Sequence, residues 1–299
     1  MIYRQKSMLF QTINNSELFG STLMLLDNPF FVTLNNIGLL TIIDENGDKL
    51  IVLDPNLDQE KQNQQIIDLI NQNVDIIFLA PVDWKGVKQA LEAANEAGIP
   101  VFNVDAPVYN EELVTTIIAS DNYKVGVLIA QDMMQRLDEA KIVIIDYPPA
   151  KSTIDRIQGF KDTILNKPQY EIVVQKTGEG PDLTAKNLMK EVIDDNIDFN
   201  VVFGINDVTA KGIVEALQEA NKIQDTLVYG VDGSPEGKQM VKEGLLTATV
   251  AQSPIEIGMT AAELGYVYLQ GDHVPKYVTI PVYIINKENI NDYDLLSWQ

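Results

Sequence analysis

Two aspartates close equivalent segments of the chain. Asp105 follows the apolar run Val101–Val104, and Asp232 follows Leu227–Val231. A carboxylate is an acceptor that can hold two neighbouring hydroxyls. Loops after other apolar runs, and the helices beside them, carry Asp27, Asn28, Phe30, Phe31, Trp84, Arg156, Asn206 and Gln252. Amides donate and accept, and arginine supplies a fixed fork of donors. Aromatic faces can cover the C–H faces of a sugar ring. This mixture suits a neutral polyhydroxylated ligand and, being poor in positive charge, suits phosphates badly.

From residue 49 onward, short apolar runs alternate with amphipathic stretches. The runs include Lys49–Leu53, Asp75–Leu79, Thr115–Ala119, Ile142–Asp146, Val201–Phe203 and Thr247–Ala251. Between them, apolar residues recur three and four apart, as in Val87, Ala90, Leu91 and Ala94. That spacing is helical. Strand–helix alternation argues parallel sheets covered by helices on both faces, and the near-continuous apolar runs agree with strands buried on both sides. The stretch 33–45 reads two ways. Ile37–Ile43 and Lys49–Leu53 around Asn46-Gly47 resemble a hairpin. A helix from Pro29, with Leu34, Ile37 and Leu40 on one face and Asn46-Gly47 ending it, fits the alternation elsewhere better, against the β-branched content.

The chain repeats itself. Lys85-Gly86-Val87-Lys88-Gln89-Ala90-Leu91-Glu92-Ala93-Ala94-Asn95 precedes the strand ending at Asp105. Lys211-Gly212-Ile213-Val214-Glu215-Ala216-Leu217-Gln218-Glu219-Ala220-Asn221 precedes the strand ending at Asp232, and Ile76-Ile77-Phe78 upstream matches Val201-Val202-Phe203. In open parallel sheets, ligands bind beyond the carboxyl ends of the strands. Two such lobes facing each other place both acids, the loop Ala80–Trp84 and the loop Gly204–Asp207 at one cleft.

Composition narrows the field. The chain has 299 residues, a formal charge of −21, no cysteine and a single histidine, His273. Its length favours two domains with ordinary cores. The acidic surface argues against nucleic acid. Missing cysteines exclude thiol catalysis and cysteine-held metal, and one histidine excludes a His-pair site. No apolar stretch is long enough to span a bilayer. The N-terminus carries Arg4 and Lys6 but no clean signal-peptide core, cleavage site or lipid-bearing Cys. Removal of an export signal, an abnormal start and a cytosolic protein all remain open on that evidence.

Asp27-Asn28-Pro29-Phe30-Phe31 resembles the Asn-Pro-Phe-Phe segment of the ribose-binding type of periplasmic sugar-binding proteins. Ile118–Asn122, Arg156–Phe160, Asn206-Asp207, Gly230–Pro235 and Ala251–Pro254 resemble that family's other landmarks in the same order. The resemblance runs from about residue 20 to 285. It implies a type I solute-binding protein of an ABC importer: an α/β fold of two Rossmann-like parallel-sheet lobes joined by three hinge crossovers. The lobes would be 1–121 with 253–281 and 122–252 with 282–299, with hinges near Ser120–Asn122, Gln252–Ser253 and Pro281. It further implies a periplasmic or cell-surface monomer that closes on a neutral monosaccharide or polyol and hands it to a membrane permease, without cofactor, metal or catalysis. Asn28, Phe30, Phe31, Asp105, Arg156, Asn206, Asp232 and Gln252 fall at the family's sugar-contacting positions. Ala106 and Ala80 replace an Arg and an Asn of ribose binders, and the loop 178–181 offers no further stacking Phe, so ribose itself is not implied.

Several of the site residues have a plainer reading. Asp232 could serve only the Asp-Gly-Ser-Pro turn. Phe30 and Phe31 could be core aromatics, although adjacent residues do not easily share one helix face. Arg156 could pair with Asp155 or Asp162. Trp84 is either replacement stacking area or a helix-start residue packed on the lobe surface. His273 reads as an exposed turn residue, and Gly-Glu-Gly at 178–180 lacks dinucleotide-binding spacing. Two other functions compete. A glycosidase would need Asp105 and Asp232 in different environments, which nothing in the sequence supplies. A sugar-sensing receptor or regulator shares the fold. A DNA-binding version would carry a helix-turn-helix ahead of Phe19-Gly20-Ser21, where little chain stands, and the charge is wrong for DNA.

Overall fold

Residues 16–178 and 182–299 are described by the computed structural model, so Arg4, Lys6 and residues 179–181 lie outside the described residues. Two six-stranded sheets form two lobes. The first contains β1 (Leu18–Leu23), β2 (Lys49–Leu53), β3 (Ile76–Ala80), β4 (Val101–Val104), β5 (Thr116–Ser120) and β11 (Tyr277–Ile280). The second contains β6 (Ala140–Asp146), β7 (Tyr170–Thr177), β8 (Val201–Gly204), β9 (Leu227–Asp232), β10 (Ala248–Ala251) and β12 (Tyr283–Asn286). The orders, β2-β1-β3-β4-β5-β11 and β7-β6-β8-β9-β10-β12, are the same when superposed. Every pairing is parallel except β10 with β12. The chain passes between sheets after Ser120, after Ala251 and after Ile280.

Both sheet faces are buried, which explains the continuous apolar runs. In β3, Ile76 and Phe78 join one apolar core while Ile77 and Leu79 join another on the opposite face. In β6, Ile142 and Ile144 separate from Val143 and Ile145 in the same way. This is the period-two alternation of a strand with helices on either side.

The ambiguous stretch is helical. Helix Pro29–Thr33 continues through a π-helical turn, Leu34–Leu39, into helix Leu40–Glu45, and Gly47 at φ 77° follows its end. The buried stripe is not the expected Leu34, Ile37 and Leu40. Leu34, Leu39 and Ile43 are buried, and Ile37 is exposed. Bonding five residues apart shifts the phase of the apolar face, and a strictly α-helical spacing does not anticipate that. The turn sits where two helices touch through their backbones: a Cβ on Gly38 would lie 2.7 Å from Gly258 Cα in helix Pro254–Leu269.

Candidate functional site

Between the lobes, beyond the carboxyl ends of the strands, lies a cleft of about 420 Å³. Asp27, Asn28, Phe30, Phe31, Asp105, Arg156, Asn206, Asp232 and Gln252 all line it. Asp105 follows β4 and Asp232 ends β9, and both have positive backbone φ, 63° and 125°. Such strain in non-glycine residues costs on the order of 1–3 kcal/mol and concentrates at functional sites. The repeat thus preserves an unfavourable backbone state as well as a residue type.

Both carboxylates are buried. Asp105 Oδ1 has no hydrogen-bond partner. Burial pushes the Asp105 carboxyl up to about 6, against the pull of Arg156. Burial likewise pushes Asp232 up, with Arg156 and the amide of Gln252 opposing. The two acids therefore share one kind of environment, unlike an acid and a base whose surroundings drive their pKa values apart.

Asp232 is not occupied by its turn. Ser234 caps helix Pro235–Glu243, accepting from Gly237 N at 2.9 Å. Asp207 ties the turn down, accepting from Ser234 N at 2.9 Å, Ser234 Oγ at 2.8 Å and Thr249 Oγ1 at 2.6 Å. Asp207, which the sequence showed only as part of a motif, thereby positions Asp232.

Arg156 is 4% exposed and pairs with neither Asp155 nor Asp162. Its Nε donates to Asn122 Oδ1 at 2.8 Å and its Nη1 to Ile205 O at 2.7 Å. Its seat is a glycine crossing. A Cβ on Gly126 of helix Asn122–Arg136 would fall 1.8 Å from Arg156 O, and one on Gly159 of helix Lys151–Ile164 would fall 2.0 Å from Tyr123 O. The helices touch backbone to backbone, which fixes the guanidinium.

Asn28 and Asn206 are both helix caps. Asn28 Oδ1 accepts from Phe30 N at 3.0 Å and Asn206 Oδ1 from Thr209 N at 2.8 Å. Their oxygens are committed to the backbone, so their amide NH₂ groups are the donors left for the cleft. Phe30 and Phe31 reconcile their two readings: both are buried in the first lobe's core, edge to face at 5.4 Å, and both border the cleft. Asp27 stands exposed at the rim.

Trp84 stands apart from these nine. It does not line the cleft but packs edge-on against Tyr109 at 5.3 Å, with Lys85 Nζ 4.8 Å from its ring. The turn carrying it faces the other lobe, where Trp84 N donates to Pro149 O at 3.0 Å. His273 is exposed, as expected of a turn. Asp146, at the end of β6, lines the cleft and was not singled out from the sequence, although it ends an apolar run as the other two acids do. No cluster of potential metal ligands occurs among the described residues, and no helix there is long and apolar enough to cross a membrane.

Residues 19–273 match the family model described as periplasmic binding protein domain. The ribose import binding protein RbsB of Bacillus subtilis (strain 168) is 33% identical over 265 residues, covering 88% of this chain and 85% of that protein. The protein of the same name from Escherichia coli (strain K12) is 30% identical, covering 88% of each. A solute-binding protein of an ABC transporter from Agrobacterium vitis, solved with bound D-fucose, superposes with a TM-score of 0.86 at 28% identity, covering 92% of this chain and 97% of that one. One from Bacillus halodurans with bound myo-inositol gives 0.86 at 25% identity, covering 93% and 97%.

Proposed function

The chain belongs to the periplasmic binding protein family, and from that premise we propose an extracytoplasmic solute-binding protein that captures one neutral monosaccharide or cyclic polyol between its lobes and delivers it to an ABC-type permease. The observation that carries this is a set of buried acceptors without donors: Asp105 Oδ1 from the first lobe and Gln252 Oε1 beside Asp232 in the second, all on one cleft. A buried acceptor left unpaired costs about 1–3 kcal/mol. A ligand rich in hydroxyls removes that cost, and Asn28, Asn206 and Arg156 supply donors to its oxygens. Phe30 and Phe31 offer apolar surface to its ring. The protein performs no chemistry on the ligand.

Among the described residues, the lobes divide as 1–121 with 253–281 and 122–252 with 282–299, and closure bends the crossovers near Ser120–Asn122, Gln252–Ser253 and Pro281. The protein acts as a monomer. Titration calorimetry against pentoses, hexoses, cyclitols and their phosphates tests the reading. One-to-one binding of a neutral member is expected; no heat from any of them contradicts it.

A further inference from the structure

We propose that Asp146 is a further ligand-contacting residue that sets specificity at the second-lobe wall of the cleft, accepting a hydrogen bond from a hydroxyl of the ligand and excluding a carboxylate or phosphate there. The assignment rests on the reading of the cleft as a sugar site. Asp146 ends β6 with its side chain 5% exposed, and it lines the cleft. Its Oδ2 is held by Gln175 Nε2 of β7, and its backbone carbonyl accepts from Gly178 N at 2.8 Å. The side chain is therefore anchored on one oxygen. The other, Oδ1, is buried and has no partner.

The repeat shows that this acid is not a scaffold requirement. β1 pairs with β3 through Phe19↔Ile76, and β6 pairs with β8 through Ile142↔Val201. Ile76 and Val201 are equivalent in the repeat, so Asp146 occupies the place that Leu23 fills in the first lobe. Leu23 is a fully buried core residue. The first lobe thus carries an apolar side chain at this register, and only the second lobe places an aspartate with a free buried oxygen there. The acceptors Asp105, Asp146 and Gln252 are each short of a donor, while Arg156 has Nε and Nη1 engaged. An anionic group beside Asp146 would add like charge without adding a donor. A hydroxyl supplies the donor.

The test is calorimetry on the whole protein with D-ribose, D-allose, D-galactose, myo-inositol and D-glucuronate, repeated on Asp146→Ala and Asp146→Asn, with melting of each unliganded protein. For the neutral compound that binds most tightly, Asp146→Ala is expected to weaken binding by about tenfold or more. Asp146→Asn, which keeps an acceptor, should lose less and should bind D-glucuronate better than the natural protein does. Unliganded Asp146→Ala should melt no lower than the natural protein, because it removes a buried unpaired oxygen; a purely structural aspartate would give a lower melting point. Neutral-sugar binding unchanged in Asp146→Ala, or an affinity loss matched by lost unliganded stability, overturns the assignment and leaves the sugar reading intact. Failure of the natural protein to bind any of these compounds overturns both.

Discussion

Gln252 Nε2 donates to Asp232 Oδ1 at 2.8 Å while Gln252 Oε1 remains without a donor. Asp232 ends β9 and Gln252 follows the neighbouring β10, and Gln252 N also donates to Asp232 O at 3.0 Å, so the pair is rigid before any ligand arrives. It presents acceptors to the cleft with little left to reorganise. Replacing Asp232 by Ala is expected to weaken sugar binding by about 10- to 150-fold, the range for a hydrogen bond to a charged group. Unliganded melting should change little or rise. Calorimetry and thermal denaturation on the same preparation check both halves.

Arg156 predicts the opposite pattern for its support. Gly126→Ala forces a methyl into Arg156 O, and neither helix backbone can yield locally. Overpacking of this kind costs about 1–3 kcal/mol. Gly126→Ala should therefore melt lower and bind more weakly, because Arg156 shifts with its helix. Normal melting with normal affinity would show that the crossing does not set the guanidinium.

The buried acids make stability and affinity respond oppositely to pH. Asp105 is raised by burial from its ordinary 3.8 to about 6; Asp232 is raised by burial, and Asp207 by burial and by Asp232. Between the unfolded and folded values the native chain holds more protons, so these groups make stability fall as pH rises through that window. The window for Asp105 runs from 3.8 to about 6, and the other two act in the same direction. Glu219, lowered to about 2 by its bonds to Lys186 and Lys190, acts below its ordinary 4.5 and in the opposite sense. Sugar hydroxyls donate to ionised carboxylates, so binding should release protons and tighten as pH rises through about 6. Calorimetry in buffers of different ionisation heat measures the proton release; proton uptake would contradict the account.

The chain's two tryptophans both sit where the lobes meet. Trp84 N bonds Pro149 O, and Lys151 Nζ lies 5.8 Å from the Trp84 ring. Trp298 meets Phe30 edge-on at 5.9 Å, while Lys238 binds the carbonyls of Asp294 and Ser297 and so ties that tail to the second lobe. Hinge motion would alter both contacts. Sugar should change tryptophan emission, with part of the change surviving in Trp84→Phe and part in Trp298→Phe. Unaltered emission at saturating sugar would argue against closure at these points.

The duplicated lobe was legible because the repeat is written in matched strands, helices and acids, and nine of the ten residues picked from the sequence do border one cleft. Trp84 had two readings in the sequence, stacking area or a residue packed on the lobe surface, and no local pattern chooses between them, because its partners Tyr109 and Pro149 are distant in sequence or across the lobe boundary. The phase of the helix after Asn28 was hidden by a π-helical turn fitted to the backbone of Gly258, a contact no local pattern encodes. Asp146 carried the same mark as the other acids, an apolar run ended by Asp. The repeat does not mark it, because its counterpart in the first half is Leu23.

Diffraction from crystals grown with the neutral sugar that binds most tightly tests the central claim directly. The account predicts one ring in the cleft against Phe30 and Phe31, with its hydroxyls donating to Asp105 from one lobe and Asp232 from the other. A ring held elsewhere, or held in the cleft with both carboxylates turned away from its hydroxyls, would contradict it.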